Sequence, residues 1–158
     1  MVEVGALSDG LWIRIDSKPV GKGRPRVWKG RMLTPQKTRN AEAHASSIFG
    51  VAWKGEPISK GTGVAVELLQ IEPRPQRFKG PDYRHPCPLG GAHCDLDNVF
   101  KLIADSLQAA GVFVNDAQIV VIRAAKVWAA SDEGPSVELR VRSVPRNDPG
   151  LVWKAPWA

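Results

Sequence analysis

The sequence predicts an α+β domain of order β-α-β-α-β-β, with a mixed four-stranded sheet carrying two main helices on one face. Three observations predict it. Short alternating or β-rich segments stand at 11–16, 63–73, 117–129 and 136–144. Two stretches between them repeat apolar residues at helical spacing. The connections are rich in Gly and Pro, which number 15 and 13 in 158 residues.

The first strand is LWIRID (11–16), which alternates along its length. KPVGKGRPRVWKGR (18–31) follows, and its glycines, prolines and charges describe a loop or a frayed ribbon. Thr34-Pro35 forms a helix start, with Thr34 as N-cap and Pro35 at the first helical position. From there Ala41, Ala45, Ile48, Phe49, Ala52 and Trp53 make one apolar stripe that KGEP (54–57) ends. GVAVELLQIEP (63–73) is the next strand. Residues 74–93 form a long basic loop, a length that in a compact domain marks function or mobility. Asp97 caps a second helix, NVFKLIADSLQAA (98–110), which Gly111 stops. Its buried side is Val99, Leu102, Ile103 and Leu107. AQIVVIRAAKVWA (117–129) is a strand, SDEGP (131–135) a turn, and SVELRVRSV (136–144) its hairpin partner. Residues 1–144 therefore read as one domain, and 145–158 as an extended or disordered tail. No internal repeat is visible.

The bulk numbers narrow the function. Lys plus Arg is 22 against 16 for Asp plus Glu, a net charge of +6. With an isoelectric point near 9.6, that balance points to a nucleic-acid partner rather than to an acidic membrane face. No apolar run approaches the roughly 20 residues a membrane span needs. The N-terminus MVEVGALSDG lacks the basic start and apolar middle of a signal peptide, so the expected location is the cytoplasm. Two cysteines, Cys87 and Cys94, make no disulfide framework.

Against that basic background, CDLDNVFKLIADSLQ (94–108) concentrates aspartates. Asp95 and Asp97 are two apart in an extended approach, so both can point the same way. Lys101 is one helical turn beyond Asp97. Asp116 precedes the next strand, and a strand start can lie beside a helix start when the two pack as neighbours. Three carboxylates brought together raise one another's pKa, and a divalent cation resolves the conflict. Mg²⁺ prefers such hard oxygen ligands and suits phosphodiester hydrolysis, where Lys101 could offset charge growing on the phosphate. The plainer alternative is that Asp97 is only an N-cap and Asp97–Lys101–Asp105 only a ladder of ion pairs on a wet face.

Taken together, Asp95, Asp97, Asn98, Lys101, Asp105, Leu107 and Gly111, then Asp116, Gln118 and Ile119, resemble the RusA-type Holliday junction resolvases of phages and prophages. GKGRPRVWKGRMLTPQKTR (21–39) is similar to the basic segment of the phage branch, and a lysine late in the following strand recurs as Lys126. The resemblance spans about residues 11–144. It implies a homodimeric, Mg²⁺-dependent endonuclease (with Mn²⁺ able to substitute) that cuts four-way DNA junctions by paired nicks, on a β-α-β-α-β-β fold. It puts the metal ligands on Asp95, Asp97 and Asp116, the catalytic lysine on Lys101, and a supporting acid on Asp105, which would orient Lys101. It also implies a bacterial host cell as the site of action. Cys94 and Asn115 depart from the pattern, where some members carry a basic residue and many a second aspartate. Neither departure removes a ligand.

The remaining charged features read as DNA contacts. Lys22, Arg24 and Arg26 lie on a stiffened loop beside Trp28, a candidate for stacking on an unpaired base. Arg74, Arg77, Lys79 and Arg84 alternate with Phe78 and Tyr83 in the long loop. His85, Cys87, His93 and Cys94 fit no established zinc spacing, so zinc is not expected. The rival functions are a nuclease of the same chemistry on forks, flaps or packaging intermediates, and a non-catalytic zinc-stabilised DNA-binding module.

Overall fold

The computed structural model describes residues 1–7, 10–78, 82–87 and 95–145. The tail beyond Pro145, Lys79, His93 and Cys94 lie outside the described residues, as do the side chains of Arg26 and Trp28. The elements in chain order are β1 (Val2–Leu7), β2 (Gly10–Ile15), β3 (Arg26–Trp28), β4 (Arg31–Leu33), α1 (Gln36–Ala52), β5 (Gly63–Glu72), β6 (His85–Pro86), α2 (Leu96–Ala109), β7 (Ile119–Trp128) and β8 (Ser136–Val144). A 3₁₀ turn, Asp116–Gln118, leads into β7.

The α+β class and the two helices are as expected, but the sheet is larger. It has six strands rather than four, in the order β1-β2-β8-β5-β7-β6, and β3-β4 form a separate ribbon. β1 extends the sheet by pairing antiparallel with β2 from Val2↔Ile15 to Leu7↔Gly10. β6 adds only the two pairs His85↔Trp128 and Pro86↔Val127. Of the two alternatives for this segment the ribbon forms, because Lys29 and Gly30 both take positive φ, 50° and 73°, the backbone a two-residue hairpin turn requires.

A second correction concerns pairing. β8 is not the hairpin partner of β7. It lies between β2 and β5, antiparallel to both, while β7 runs parallel to β5 on the other side. The cause is the crossover through α2, which returns the chain parallel to β5 and leaves the opposite flank of β5 open for the last strand.

Helix boundaries also shift. Pro35, not Thr34, is the N-cap of α1, and no side-chain cap bond forms there. α2 begins two residues early, so its N-cap is Asp95 rather than Asp97, which sits inside the first turn. Gly111, at φ 77°, ends α2 as expected.

One core holds these parts together. Ile13, Val64, Val66, Leu68, Leu139 and Val141 rise from one face of the sheet to meet Phe49 of α1 and Val99, Leu102, Ile103 and Leu107 of α2. Alternation puts these strand residues on a single side, so both helices cover the same face. No described helix is long and apolar enough to cross a membrane.

Candidate active site

The direction of the crossover fixes where the acidic residues lie. α2 runs antiparallel to the parallel pair β5 and β7, so its start stands near the carboxyl ends of those strands and its end near their starts. Asp95 and Asp97 share the start of α2. Both are exposed, and neither caps the helix with its side chain. Their partners are few and long: Asn98 Nδ2 donates to Asp95 Oδ2 over 3.4 Å, and Lys101 Nζ to Asp97 Oδ2 over 3.4 Å. Asp97 and Lys101 are 68% and 62% exposed, so that ion pair is loose and its members are free to meet a ligand.

Asp116 is held at the other end. Its backbone N–H donates to Gln108 Oε1 over 3.0 Å, near the last turn of α2. Asp97 and Gln108 are separated by about 16 Å along the helix axis, eleven residues at about 1.5 Å each. The expected convergence of Asp95, Asp97 and Asp116 therefore does not occur within one chain. Among the described residues, no group of three or more His, Cys, Asp or Glu side chains is gathered closely enough to hold a metal ion. Sequence spacing allowed a strand start beside a helix start, but a parallel crossover sends them to opposite ends.

Asp116 sits on a tightly built turn. Asn115 Oδ1 accepts from Ala117 N over 2.8 Å. Gln118, 8% exposed, uses both ends of its amide. Its Oε1 accepts from the N–H groups of Val114 and Asn115 at 3.0 Å each. Its Nε2 donates to the carbonyls of Ile58, Ser59 and Thr62 at 3.2, 2.8 and 3.1 Å. This capping box ties the Asp116 turn to the segment before β5. The spacing N-x-x-Q was visible in the sequence as its signature.

Asp105 does not orient Lys101. Its carboxylate accepts from Lys22 Nζ, which Glu42 of α1 also approaches at 3.5 Å. The Lys22 N–H donates to Asn98 O at 2.9 Å. The bond to Asp105 raises the Lys22 pKa against partial burial. Lys22, expected to meet phosphate, thus pins its loop along α2. Arg24 and Arg77 are exposed and open to a ligand. Lys126 lies late on β7, level with Gln70, its side chain partly buried and its carbonyl accepting from Cys87 N at 3.3 Å.

The long loop is anchored more than its composition suggests. Phe78 packs edge-on against Trp128, with centroids 4.4 Å apart, and Arg74 lies 4.7 Å over the Phe78 ring. Arg84 is committed to an ion cluster: its Nη2 meets Glu133 at 2.6 Å and Glu138 at 2.5 Å, and Arg14 Nη1 meets the same two at 2.9 and 2.8 Å. The bonds from Arg84 and Arg14 hold the Glu133 carboxyl down at about 2, against the desolvation that raises it. Tyr83, by contrast, is 66% exposed. Cys87 is a free thiol whose pKa burial raises. His85 Nδ1 is 3.2 Å from Pro86 O.

With this geometry in hand, the comparison with known families is decisive. The family described as Endodeoxyribonuclease RusA matches residues 16–142. The chain belongs to that family. The match runs from just after β2 into β8 and includes every candidate ligand. No curated protein matches the chain.

Proposed function

We propose that this RusA-family chain is a Mg²⁺-dependent endodeoxyribonuclease that resolves four-way DNA junctions by paired nicks, acting as a homodimer. The observation that carries the reading is the start of α2, where two exposed, weakly partnered carboxylates stand beside a lysine one turn on. Their donor chemistry fits the ion: Mg²⁺ takes hard oxygens, usually from one or two carboxylates, and keeps waters and phosphate for its other positions. Asp95 and Asp97 would hold it. The bound ion supplies Lewis acidity, neutralising phosphate charge and lowering the pKa of a water nucleophile.

The chain's own groups do the rest. The Lys101 ammonium, one turn from Asp97, donates to a phosphate oxygen as negative charge grows there. Arg24 and Arg77 hold the DNA backbone without reading sequence. Asp116, fixed at the far end of α2, joins Asp95 and Asp97 only if a second copy of the chain brings its own Asp116 to them, which gives the homodimer a chemical reason.

The test is a synthetic immobile four-way junction incubated with the protein in Mg²⁺ or in EDTA. Paired symmetric nicks in Mg²⁺ and none in EDTA are expected. Equal cutting of forks and flaps would shift the substrate away from junctions, and metal-independent binding without nicking would overturn the nuclease reading.

A further inference from the structure

The β3–β4 ribbon joins no other sheet, and Val27, Met32 and Leu33 take no part in the core. It stands on a narrow neck. Thr38 of α1 is buried, and its Oγ1 accepts from the Gly23 N–H over 3.0 Å, which gathers the chain between them into an arm. Glycine suits the neck, because a Cβ at Gly23 would stand 3.0 Å from Thr38 Oγ1 and 3.1 Å from Pro35 Cγ. The root of the arm is beside the candidate metal ligands. Lys22, just before Gly23, donates its N–H to Asn98 O at 2.9 Å, and Asn98 follows Asp97. At the tip, a Cβ at Gly30 would meet nothing within 4 Å, so the turn projects into open space.

Between Asp16 and Glu42 every charged residue is a Lys or an Arg. Arg24, Lys29, Arg31 and Lys37 of the arm are all exposed. Such an arm suits a polyanion. It also carries an apolar pair. Val27 and Met32 lie directly opposite each other in the ribbon, so they share one face, and they are 69% and 68% exposed. Single apolar residues on a surface are ordinary, but a cross-strand pair near the tip of a cationic arm is not. A two-stranded ribbon with no packed face is marginal in water, so this face calls for an occupant.

We propose that Val27 and Met32 form a wedge that enters DNA at the branch point of a junction, against base faces that are no longer stacked. This rests on the junction-nuclease reading and assigns to two residues its preference for branched DNA over duplex. The broad apolar surfaces of DNA are the faces of its bases. A duplex hides them by stacking, and prising a step apart is costly. A branch point already exposes them, so the same pair inserts there at least cost. Apolar side chains, Met among them, wedge between base steps without reading sequence. The cations around the pair hold the phosphates on either side. With the root of the arm beside Asp97, a wedge seated at the branch sets nearby phosphates against the start of α2.

Binding measured in EDTA, where no strand is cut, tests the wedge apart from catalysis. The probes are a synthetic immobile four-way junction and a linear duplex with the sequence of two of its arms. Wild type is expected to prefer the junction. Val27→Thr combined with Met32→Thr changes two positions outside the core to another strand-forming residue. That variant should keep its duplex affinity and lose roughly 10- to 100-fold in junction affinity, the scale of a lost base-stacking contact. A fluorescent adenine analogue at the branch, dim while stacked, should brighten when wild type binds and stay dim with the variant. Circular dichroism checks the fold. Met32→Thr alone replaces the double variant if that does not fold, with a smaller loss in the same direction. A wild type without junction preference, a variant that keeps the preference, or one that loses duplex and junction affinity equally would each overturn the wedge. A preference that depends on Val27 and Met32 in a protein that nicks no junction in Mg²⁺ would uphold the wedge and sink the nuclease reading instead.

Discussion

The two ends of α2 are built for different purposes. At the far end, Gln118 and Asn115 satisfy six backbone groups, the Asp116 turn is locked, and the side chain that does most of this is buried. At the near end, Asp95 and Asp97 stand in water with one long contact each. A helix start accommodates carboxylates, because its N–H groups and dipole favour negative charge. Here the two acids leave their capping capacity unused. The contrast teaches that the far end is braced from within the chain, whereas the near end leaves its carboxylates exposed and loosely partnered, as the proposed metal site requires.

Breaking the near end should cost activity and spare the fold. Asp97→Asn is expected to lower junction cleavage by several kcal/mol of transition-state stabilisation, roughly 10³-fold or more. Its stability should fall by at most about 1 kcal/mol, the scale of a first-turn dipole interaction. Single-turnover cleavage and a thermal melt read the two together, and a variant that cuts at the wild-type rate refutes the role. Lys101→Met should cost less, about 10²-fold in the cleavage rate with junction affinity nearly kept. An equal loss in binding and rate would make Lys101 a DNA-holding group only.

Breaking the far end should do the opposite. Gln118→Ala removes five hydrogen bonds and is expected to destabilise the chain by about 2–4 kcal/mol. That corresponds to a fall of roughly 5–15 °C in melting temperature. A change near zero would show that water replaces the amide without penalty.

The ion cluster around Glu133 sharpens the contrast with a pH signature. Its folded pKa, about 2, lies below the ordinary 4.5, so its contribution is fully present above pH 4.5 and is lost as pH falls toward 2. Denaturant midpoints measured from pH 6 to pH 3 should separate wild type from Glu133→Gln most at pH 6 and least at pH 3. The smallest effect belongs to the Lys22–Asp105 pair, whose side chains are 35% and 41% exposed. Lys22→Met is expected to cost less than about 1 kcal/mol in urea unfolding.

How much of this the sequence revealed depended on the kind of information each feature needs. α2 was legible because Val99, Leu102, Ile103 and Leu107 repeat at helical spacing, and β5 because its residues are β-rich. The place of β8 was not, since alternation says which way side chains point and nothing about which strand lies next. β1 was overlooked although Val2 and Val4 alternate, because the segment is short and its outer residues stay wet. Asp95, Asp97 and Lys101 were legible as neighbours along one stretch of chain. The separation of Asp116 from them was not, because it follows from the direction of a crossover, a property of the assembled sheet. The pairing of Asp105 with Lys22 joins positions 83 apart and leaves no trace in local spacing.

The position of β8 has a consequence for synthesis. The last strand of the sheet to leave the ribosome is inserted between β2 and β5, in the middle rather than at a margin. Until residues 136–144 emerge, β2 and β5 have no bridge, and the two halves of the sheet cannot join. Nascent chains halted before that strand should remain open to protease, and those halted well past it should become resistant in a single step.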